Sequence, residues 1–263
     1  MHFPQPSSTS PRLTVSIVSH GQGRLLDPLL RQLRDAAAVL PMHVVVTQNL
    51  PEPRTQIESQ TGFVLDWIEN AVPRGFGENH NSAFRLCTTE FFCVMNPDVR
   101  LTPESLTPLL ASVAQKAGVA GPRVVSPAGR VEDSARRVPT PLRLCSRWWH
   151  RQFEADYATE PSEQQVDWLA GMCLVFDRAT FHAVSGFDER YRLYCEDVDI
   201  CLRVHLAGRA VSWVQNGIVV HDAQRTSHRN WRYRMWHIRS LCRLLSSVAY
   251  WRFRIKGHNN NIH

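Results

Sequence analysis

Four features are missing from this chain of 263 residues, and each absence excludes something. No two cysteines are spaced C-x-x-C, and the seven present (Cys87, Cys93, Cys145, Cys173, Cys195, Cys201, Cys242) are odd in number. A disulfide framework and a structural zinc site are therefore poor readings, and reduced thiols in a cytosolic protein are expected. No apolar run reaches the roughly 18 residues that span a bilayer. The opening segment, Met1 to Pro11, is polar and proline-rich, without the charged-then-apolar layout of a signal peptide. Last, Ala223 to His263 contains no Asp or Glu, yet holds Arg225, Arg229, Arg232, Arg234, Arg239, Arg243, Arg252, Arg254 and Lys256. The net charge of +6 belongs to this tail; the remainder is slightly acidic.

What is present is globular in composition. At 43% hydrophobic and 21% charged residues, the chain can bury a sizeable core without staples. Leu13–Ser19 is β-rich and reads as a first strand. Gly21 and Gly23 end it, and Leu25, Leu26, Leu29, Leu30 and Leu33 recur at helical spacing. Pro41 stops that helix before a second strand, His43–Gln48. Strand, helix, strand predicts a right-handed crossover and a parallel sheet.

Further along, Phe63–Ile68 reads as a short strand and Asn79–Leu86 as a helix. Phe91–Met95 is a continuous apolar run, which suits a buried central strand. Pro103 suits the first turn of a helix reaching about Ala117. Strand-like segments follow at Val119–Pro122 and Leu169–Phe176, separated by an irregular stretch, Arg123–Gln165, whose Trp148-Trp149 pair suits an acceptor cover. A short helix near Thr180, a helix from Glu196 to Ala207, and one or two strands in Ala210–His221 complete the pattern. The tail reads as an amphipathic helix, with Trp231, Met235, Ile238, Cys242 and Leu245 on one face.

Four places can carry chemistry. Asp98 follows a buried strand directly, where open α/β sheets bind ligands, and its carboxylate can hold a hard cation that grips a diphosphate; Asn96-Pro97-Asp98 is equally good turn chemistry. Glu196, Asp197 and Asp199 crowd a helix start, which the helix dipole favours in any case. Asp199 can pair with Arg203, which leaves Glu196 and Asp197 to face outward, where a carboxylate can take the proton of an acceptor hydroxyl. His221 ends a strand-like run and can ligate a metal, although a lone histidine is more often a satisfied polar group. The Gly75-Phe76-Gly77 loop, near a helix N-terminus, offers backbone donors to an anion, and Arg225 downstream can meet phosphate oxygens.

Taken in order, these pieces resemble glycosyltransferase family 2, and within it the rhamnosyltransferase-like enzymes of bacterial O-antigen and capsule assembly. The likeness runs from about Leu13 to Ser227. Its strongest stretch is Trp168–Arg203, WLAGMCLVFDRATFHAVSGFDERYRLYCEDVDICLR. Gly171, Gly186-Phe187-Asp188-Glu189, Tyr194 and Glu196-Asp197-Val198-Asp199 fit the family pattern; RGFGENHN and VMNPDV are similar to its donor-side segments.

The resemblance implies a GT-A fold: one Rossmann-like α/β domain with a mostly parallel central sheet flanked by helices. A leader (residues 1–12) precedes the domain (13–222), whose nucleotide-sugar half is 13–100 and acceptor half 101–222; the basic helical tail is 223–263. It implies an inverting, metal-dependent hexosyltransferase with Mg2+ or Mn2+ and a dTDP- or UDP-linked donor, rhamnose first and galactose or another hexose as the alternative. Asp98 and His221 would hold the metal, Asp197 would be the base with Glu196 beside it, and Ser19, His20, Gln48, Asn49, Gly75, Phe76, Asn81, Asn96 and Arg225 would line the donor. Trp168, Gly171 and Tyr194 would lie on the acceptor side. Where the family commonly has Asp-Asn after the second strand, this chain has Gln48-Asn49. A glycan or lipid-linked saccharide is the expected acceptor, and the inner face of the bacterial plasma membrane the expected location. The aromatic residues interleaved with arginines in the tail favour a membrane surface over nucleic acid. Readings from other classes are a nucleotidyltransferase, for which Ser19–Arg24 is a poor phosphate loop, and a non-catalytic binding protein.

Overall fold

The computed structural model describes residues 10–54, 62–138, 156–222 and 231–259. The Trp148-Trp149 pair and Arg225 lie outside them. Among the described residues, strands β1 (Leu13–Ser19), β2 (Met42–Gln48), β3 (Val64–Glu69), β4 (Phe91–Met95), β5 (Val99–Leu101), β6 (Gly118–Val125), β8 (Glu163–Gln165), β10 (Cys173–Asp177) and β11 (Ala210–His221) form one sheet. Its order is β3-β2-β1-β4-β10-β6-β11-β5, with β8 also paired to β11. A small second sheet joins β7 (Ala135–Arg136) to β9 (Trp168–Leu169). The helices are α1 (Gly23–Ala37), α2 (Phe76–Phe84), α3 (Thr107–Gln115), α4 (Arg178–Ala183), α5 (Glu196–Leu206), α6 (Trp231–Ser246) and α7 (Val248–Asn259).

The N-terminal half of the sheet is parallel, as the strand–helix–strand pattern predicts. The other half is mixed. β10 runs antiparallel between β4 and β6, and β5 runs antiparallel to β11. The continuous apolar run of β4 has a direct explanation. Successive side chains of a strand point to opposite faces, and both faces here are covered. Phe91, Cys93 and Met95 join the core under α1 and α3, while Phe92 and Val94 join the core under α4 and α5. On the first face, α1 presents Leu26, Leu29, Leu30 and Leu33. On the second, Phe181 of α4 is 1% exposed and meets Phe84, Phe92, Phe176 and Phe187 at ring separations of 4.5 to 5.7 Å.

Several sequence expectations change in the folded chain. Leu169–Phe176 is not one strand. Leu169 belongs to β9 in the small sheet, and a turn closed by the Met172 N–H to Ala170 carbonyl bond (2.8 Å) leads into β10. The helix after Pro103 starts later, at Thr107, because Thr102–Ser105 forms a turn held by its own hydrogen bonds. Three-residue β5 has no counterpart in the sequence reading. Ala210–His221 is one long strand whose pairing with β6 shifts register between Val214 and Ile218.

The tail also differs. It is two helices, with the Ser247 hydroxyl accepting the Tyr250 N–H at the break. The apolar face named above is largely exposed: Trp231 is 70% and Ile238 53% exposed. Leu244 and Tyr250 are buried in the second core instead, and Phe253 of α7 lies against His205 of α5. An amphipathic reading picks the largest apolar residues, but the surface offered by α5 selects those that fit it. No described helix is long and apolar enough to cross a membrane.

Phe181 is the hub of the aromatic cluster. Phe181→Ala is expected to lower unfolding free energy by about 3–5 kcal/mol, seen in urea titration as a lower midpoint with an unchanged slope.

Candidate active site

The site begins where β4 ends. Asn96 donates its backbone N–H to the Met172 carbonyl (2.9 Å), which ties the strand end to the turn before β10. Asp98 then opens β5, whose antiparallel register sets His221 opposite Val99. The backbone N–H of Asp222 donates to the Asp98 carbonyl at 3.1 Å. This brings His221 Nε2 to 3.4 Å from Asp98 Oδ2. The other ring nitrogen, Nδ1, lies 2.9 Å from Glu132 Oε2. Burial disfavours the imidazolium, but the Asp98 and Glu132 carboxylates outweigh it and hold the His221 pKa above its ordinary value.

Glu132 is a residue that sequence reasoning missed. It lies just past a tight turn in which Arg130 and Gly129 bond back to Ser126, and its own N–H donates to Val124. Nothing in the local sequence marks it, because only the return of β11 brings His221 within its reach.

These residues fit a divalent cation. Asp98 Oδ1 is buried and has no hydrogen-bond partner, although a buried carboxylate oxygen normally has one. Glu132 holds His221 by Nδ1, so Nε2 is the nitrogen that would face a metal, the usual carboxylate–histidine orientation of metal sites. Among the described residues no cluster of three or more His, Cys, Asp and Glu side chains converges as a cage. Asp98 and His221 would thus supply two ligands, leaving positions for diphosphate oxygens and water, as hard cations in phosphate sites commonly have.

The second half of the site is carried by α5. Its N-cap is Cys195, with φ +65°, preceded by Tyr194 with φ +71°. Two successive non-glycine residues in the left-handed region are strained, and such strain persists only where the surroundings enforce it. Asp197 follows. Its Oδ2 accepts the Gly171 N–H at 3.2 Å, and its Oδ1 accepts from Val198. Gly171 precedes Met172, the carbonyl partner of Asn96, so two backbone contacts link Asp197 to the strand end that leads to Asp98. A Cβ on Gly171 would lie 3.6 Å from both the Asp197 Cβ and the Phe76 ring, so the Gly75-Phe76 loop and Asp197 meet at this glycine.

Burial raises the Asp197 pKa above the ordinary carboxyl range, even against its backbone donors and Arg136. Glu196 does not face outward as expected. It is 5% exposed, Oε2 is unpaired, and burial together with the Asp197 charge pushes its pKa up to about 8. The expected Asp199–Arg203 ion pair is present at 2.7 Å. Arg203 also donates to the carbonyls of Val184 and Gly186, which fixes α5 to the Ser185-Gly186 turn.

The remaining predicted residues divide between lining and support. Asn49 uses its whole side-chain amide: it accepts from Arg74 N–H (2.7 Å) and Asn70, and bonds the Arg74 carbonyl and His20 Nδ1 (both 3.0 Å). It therefore anchors the Arg74–Gly75 loop to the ends of β1 and β2. Gly75 is buried against Arg192, where a Cβ would meet the carbonyl oxygen at 3.1 Å, and the Phe76 N–H donates to that carbonyl. Asn81 clamps α2 to the family turn by bonding the N–H and carbonyl of Phe187 and the Glu189 carboxylate. Ser19 accepts from Gln22 N–H, and Gln48 donates to the Glu52 carbonyl. The Glu52 carboxylate accepts the Gly23 N–H at 2.7 Å and so stabilises the start of α1. His20 is exposed at the rim, its pKa lowered by partial burial and by Arg192. Trp168 is buried, with its indole N–H on the Arg137 carbonyl and Arg136 stacked on its ring.

Known proteins resemble this chain in sequence and in fold. The chain is 35% identical over 165 residues to the N-acetylglucosaminyl-diphospho-decaprenol L-rhamnosyltransferase of Mycobacterium tuberculosis, covering 59% of this chain and 54% of that one. It thus spans about half the length of those relatives. It is 27% identical over 245 residues to rhamnosyltransferase WbbL of Escherichia coli K12, covering 88% of this chain and 92% of that one. Among solved structures, a Pyrobaculum calidifontis mannosyltransferase in complex with GDP-Man and Mn2+ superposes with TM-score 0.62 at 16% identity, over 91% of this chain and 66% of that one. S. aureus TarS 1–349 in complex with UDP-GlcNAc gives 0.61 at 14% identity, over 90% and 67%. At these identities the likeness shows the fold, which is GT-A. The family profile described as glycosyl transferase family 2 matches residues 24–178, more than half of the chain, and the protein therefore belongs to glycosyl transferase family 2.

Proposed function

We propose that this chain is an inverting, metal-dependent glycosyltransferase that moves a hexose, rhamnose by our reading, from a dTDP- or UDP-linked donor to a lipid-linked saccharide in bacterial surface-polysaccharide synthesis. What supports this reading is that two groups are tied to one strand end through the Asn96–Met172 backbone bond: the Asp98–His221–Glu132 cluster, with its unpartnered carboxylate oxygen, and Asp197 held on Gly171. A bound Mg2+ or Mn2+ would supply positive charge to the departing diphosphate. The chain's own residues do the rest. The Gly75-Phe76 loop and the ends of β1 and β2 cradle the donor. Asp197, with its raised proton affinity, accepts the proton of an acceptor hydroxyl as that oxygen attacks the anomeric carbon and the sugar–phosphate bond breaks. One displacement inverts the configuration and requires no protein nucleophile. The names of the mycobacterial and E. coli relatives support rhamnose and a diphospho-lipid acceptor.

The tail supports action at a membrane surface on the cytoplasmic side. Trp231, Met235, Ile238, Trp251 and Ile255 are exposed apolar residues on an acid-free, arginine-rich segment. Deleting the tail would remove Leu244 and Tyr250 from the core, so point changes test this better.

Asp197→Asn is expected to lower kcat by about 10²–10⁴-fold with donor KM little changed; full turnover in that variant removes Asp197 from the role of base. A second prediction concerns pH. The folded state holds the Glu196 proton more tightly than the unfolded chain does, so stability falls as pH rises from the ordinary carboxyl range through about 8. Glu196→Gln cannot ionise, and its unfolding midpoint is expected to vary less over that window than the parent's. For the tail, the double variant Trp231→Glu/Ile238→Glu is expected to lose co-sedimentation with vesicles rich in anionic lipid; undiminished pelleting refutes the membrane reading.

A further inference from the structure

A basic cleft lies outside the donor pocket. Helix α6 crosses the segment Arg190–Tyr194 that leads into α5. The Ser240 hydroxyl donates to the Leu193 carbonyl at 2.8 Å, and the Tyr194 ring meets His237 edge-on at 5.1 Å. Between helix and segment is a cleft of about 540 Å3 whose lining includes Arg190, Arg192, Trp236, Arg239 and Arg243. A neighbouring depression of about 530 Å3 extends along Trp231 and Met235. No lining residue of either is acidic.

The state of the arginines decides what fits. Arg190 is engaged by the Asp188 carboxylate. Arg192 stacks on Trp236 at 5.1 Å, and Arg243 lies over the Tyr191 ring. Arg192, Arg239 and Arg243 have no carboxylate partner among the described residues. Uncompensated guanidinium groups in a concave site select phosphate oxygens, which they can bind in pairs. Beside them, Trp231, Met235 and Ile238 form an exposed apolar strip (70%, 39% and 53%). Anionic recognition next to an apolar strip describes an amphiphile with a phosphate head, and fits neither a free anion nor a nucleic acid. The location adds a further argument. The other side of the same segment touches the donor loop, through Arg192 O and Phe76 N–H at 3.0 Å, and its end carries the strained Tyr194-Cys195 pair before Asp197.

We infer that this cleft is the acceptor's anchoring site: the arginines take the diphosphate of a lipid-linked saccharide, the lipid chain lies along the Trp231–Ile238 strip, and the sugar is thereby directed towards Asp197. This rests on the sugar-transfer reading for its purpose, but the binding can be measured independently. The probe is farnesyl diphosphate, titrated into the full chain by calorimetry, with farnesol and inorganic pyrophosphate as separate arms. Farnesyl diphosphate is expected to bind, and each of the other two to bind about tenfold more weakly or worse. Arg239→Gln/Arg243→Gln is expected to weaken farnesyl diphosphate about tenfold or more, while the thermal shift produced by UDP or dTDP with Mn2+ stays that of the parent, which also reports an intact fold. Unchanged affinity in the double variant overturns the assignment, as does pyrophosphate binding as tightly as farnesyl diphosphate. If instead the parent shows no metal-dependent nucleotide shift while the farnesyl diphosphate results hold, the sugar-transfer reading fails and the cleft stands.

Discussion

The pairing of β11 with β5 is the constraint on which the site depends. Val219, Val220 and His221 lie opposite Leu101, Arg100 and Val99, and that register alone sets the imidazole against Asp98. A slip of one residue would turn His221 to the opposite face, because side chains alternate along a strand. Glu132 then fixes the ring from a third segment. The antiparallel entry of β10 beside β4 is the complementary lock: it sets Met172 against Asn96, and so ties Gly171 and its partner Asp197 to the end of β4.

The residues around α5 divide physically into those that join the helix to its neighbours and the acidic trio at its start. Asn81, Gly186 and Arg203 join α2, the Ser185-Gly186 turn and α5 into one body. Gly186 has φ +63° and packs where any Cβ would run into the Asn81 side chain, so only glycine suits it. The left-handed Tyr194-Cys195 backbone leads into α5 and sets where Glu196 and Asp197 begin the helix. Asp199 is the member of the acidic trio that is neutralised by a cation on its own helix. Burial raises the proton affinity of all three, and for Asp199 it does so even against Arg203.

The tail is both structure and surface. Leu244 and Tyr250 complete the second core, whereas the larger apolar side chains of α6 stay in solvent beside arginines. The same helix covers the segment that leads into Glu196 and Asp197, which links whatever α6 contacts to the placement of those carboxylates.

The sequence by itself determined the local elements and the family signature. The run FFCVM is buried on both faces, the leucines of α1 recur at helical period, and Asp98, Asp197 and His221 stand out by their placement after strands and at a helix start. Each of these depends on neighbours within a few residues, which is what periodicity and capping can report. Only the tertiary structure decided that β5 exists, that Leu169 and Cys173 belong to different sheets, that Glu132 orients His221, that Glu196 is buried, and which face of α6 packs. All of these are set by contacts between distant segments, where the surface presented by the partner outweighs local preference.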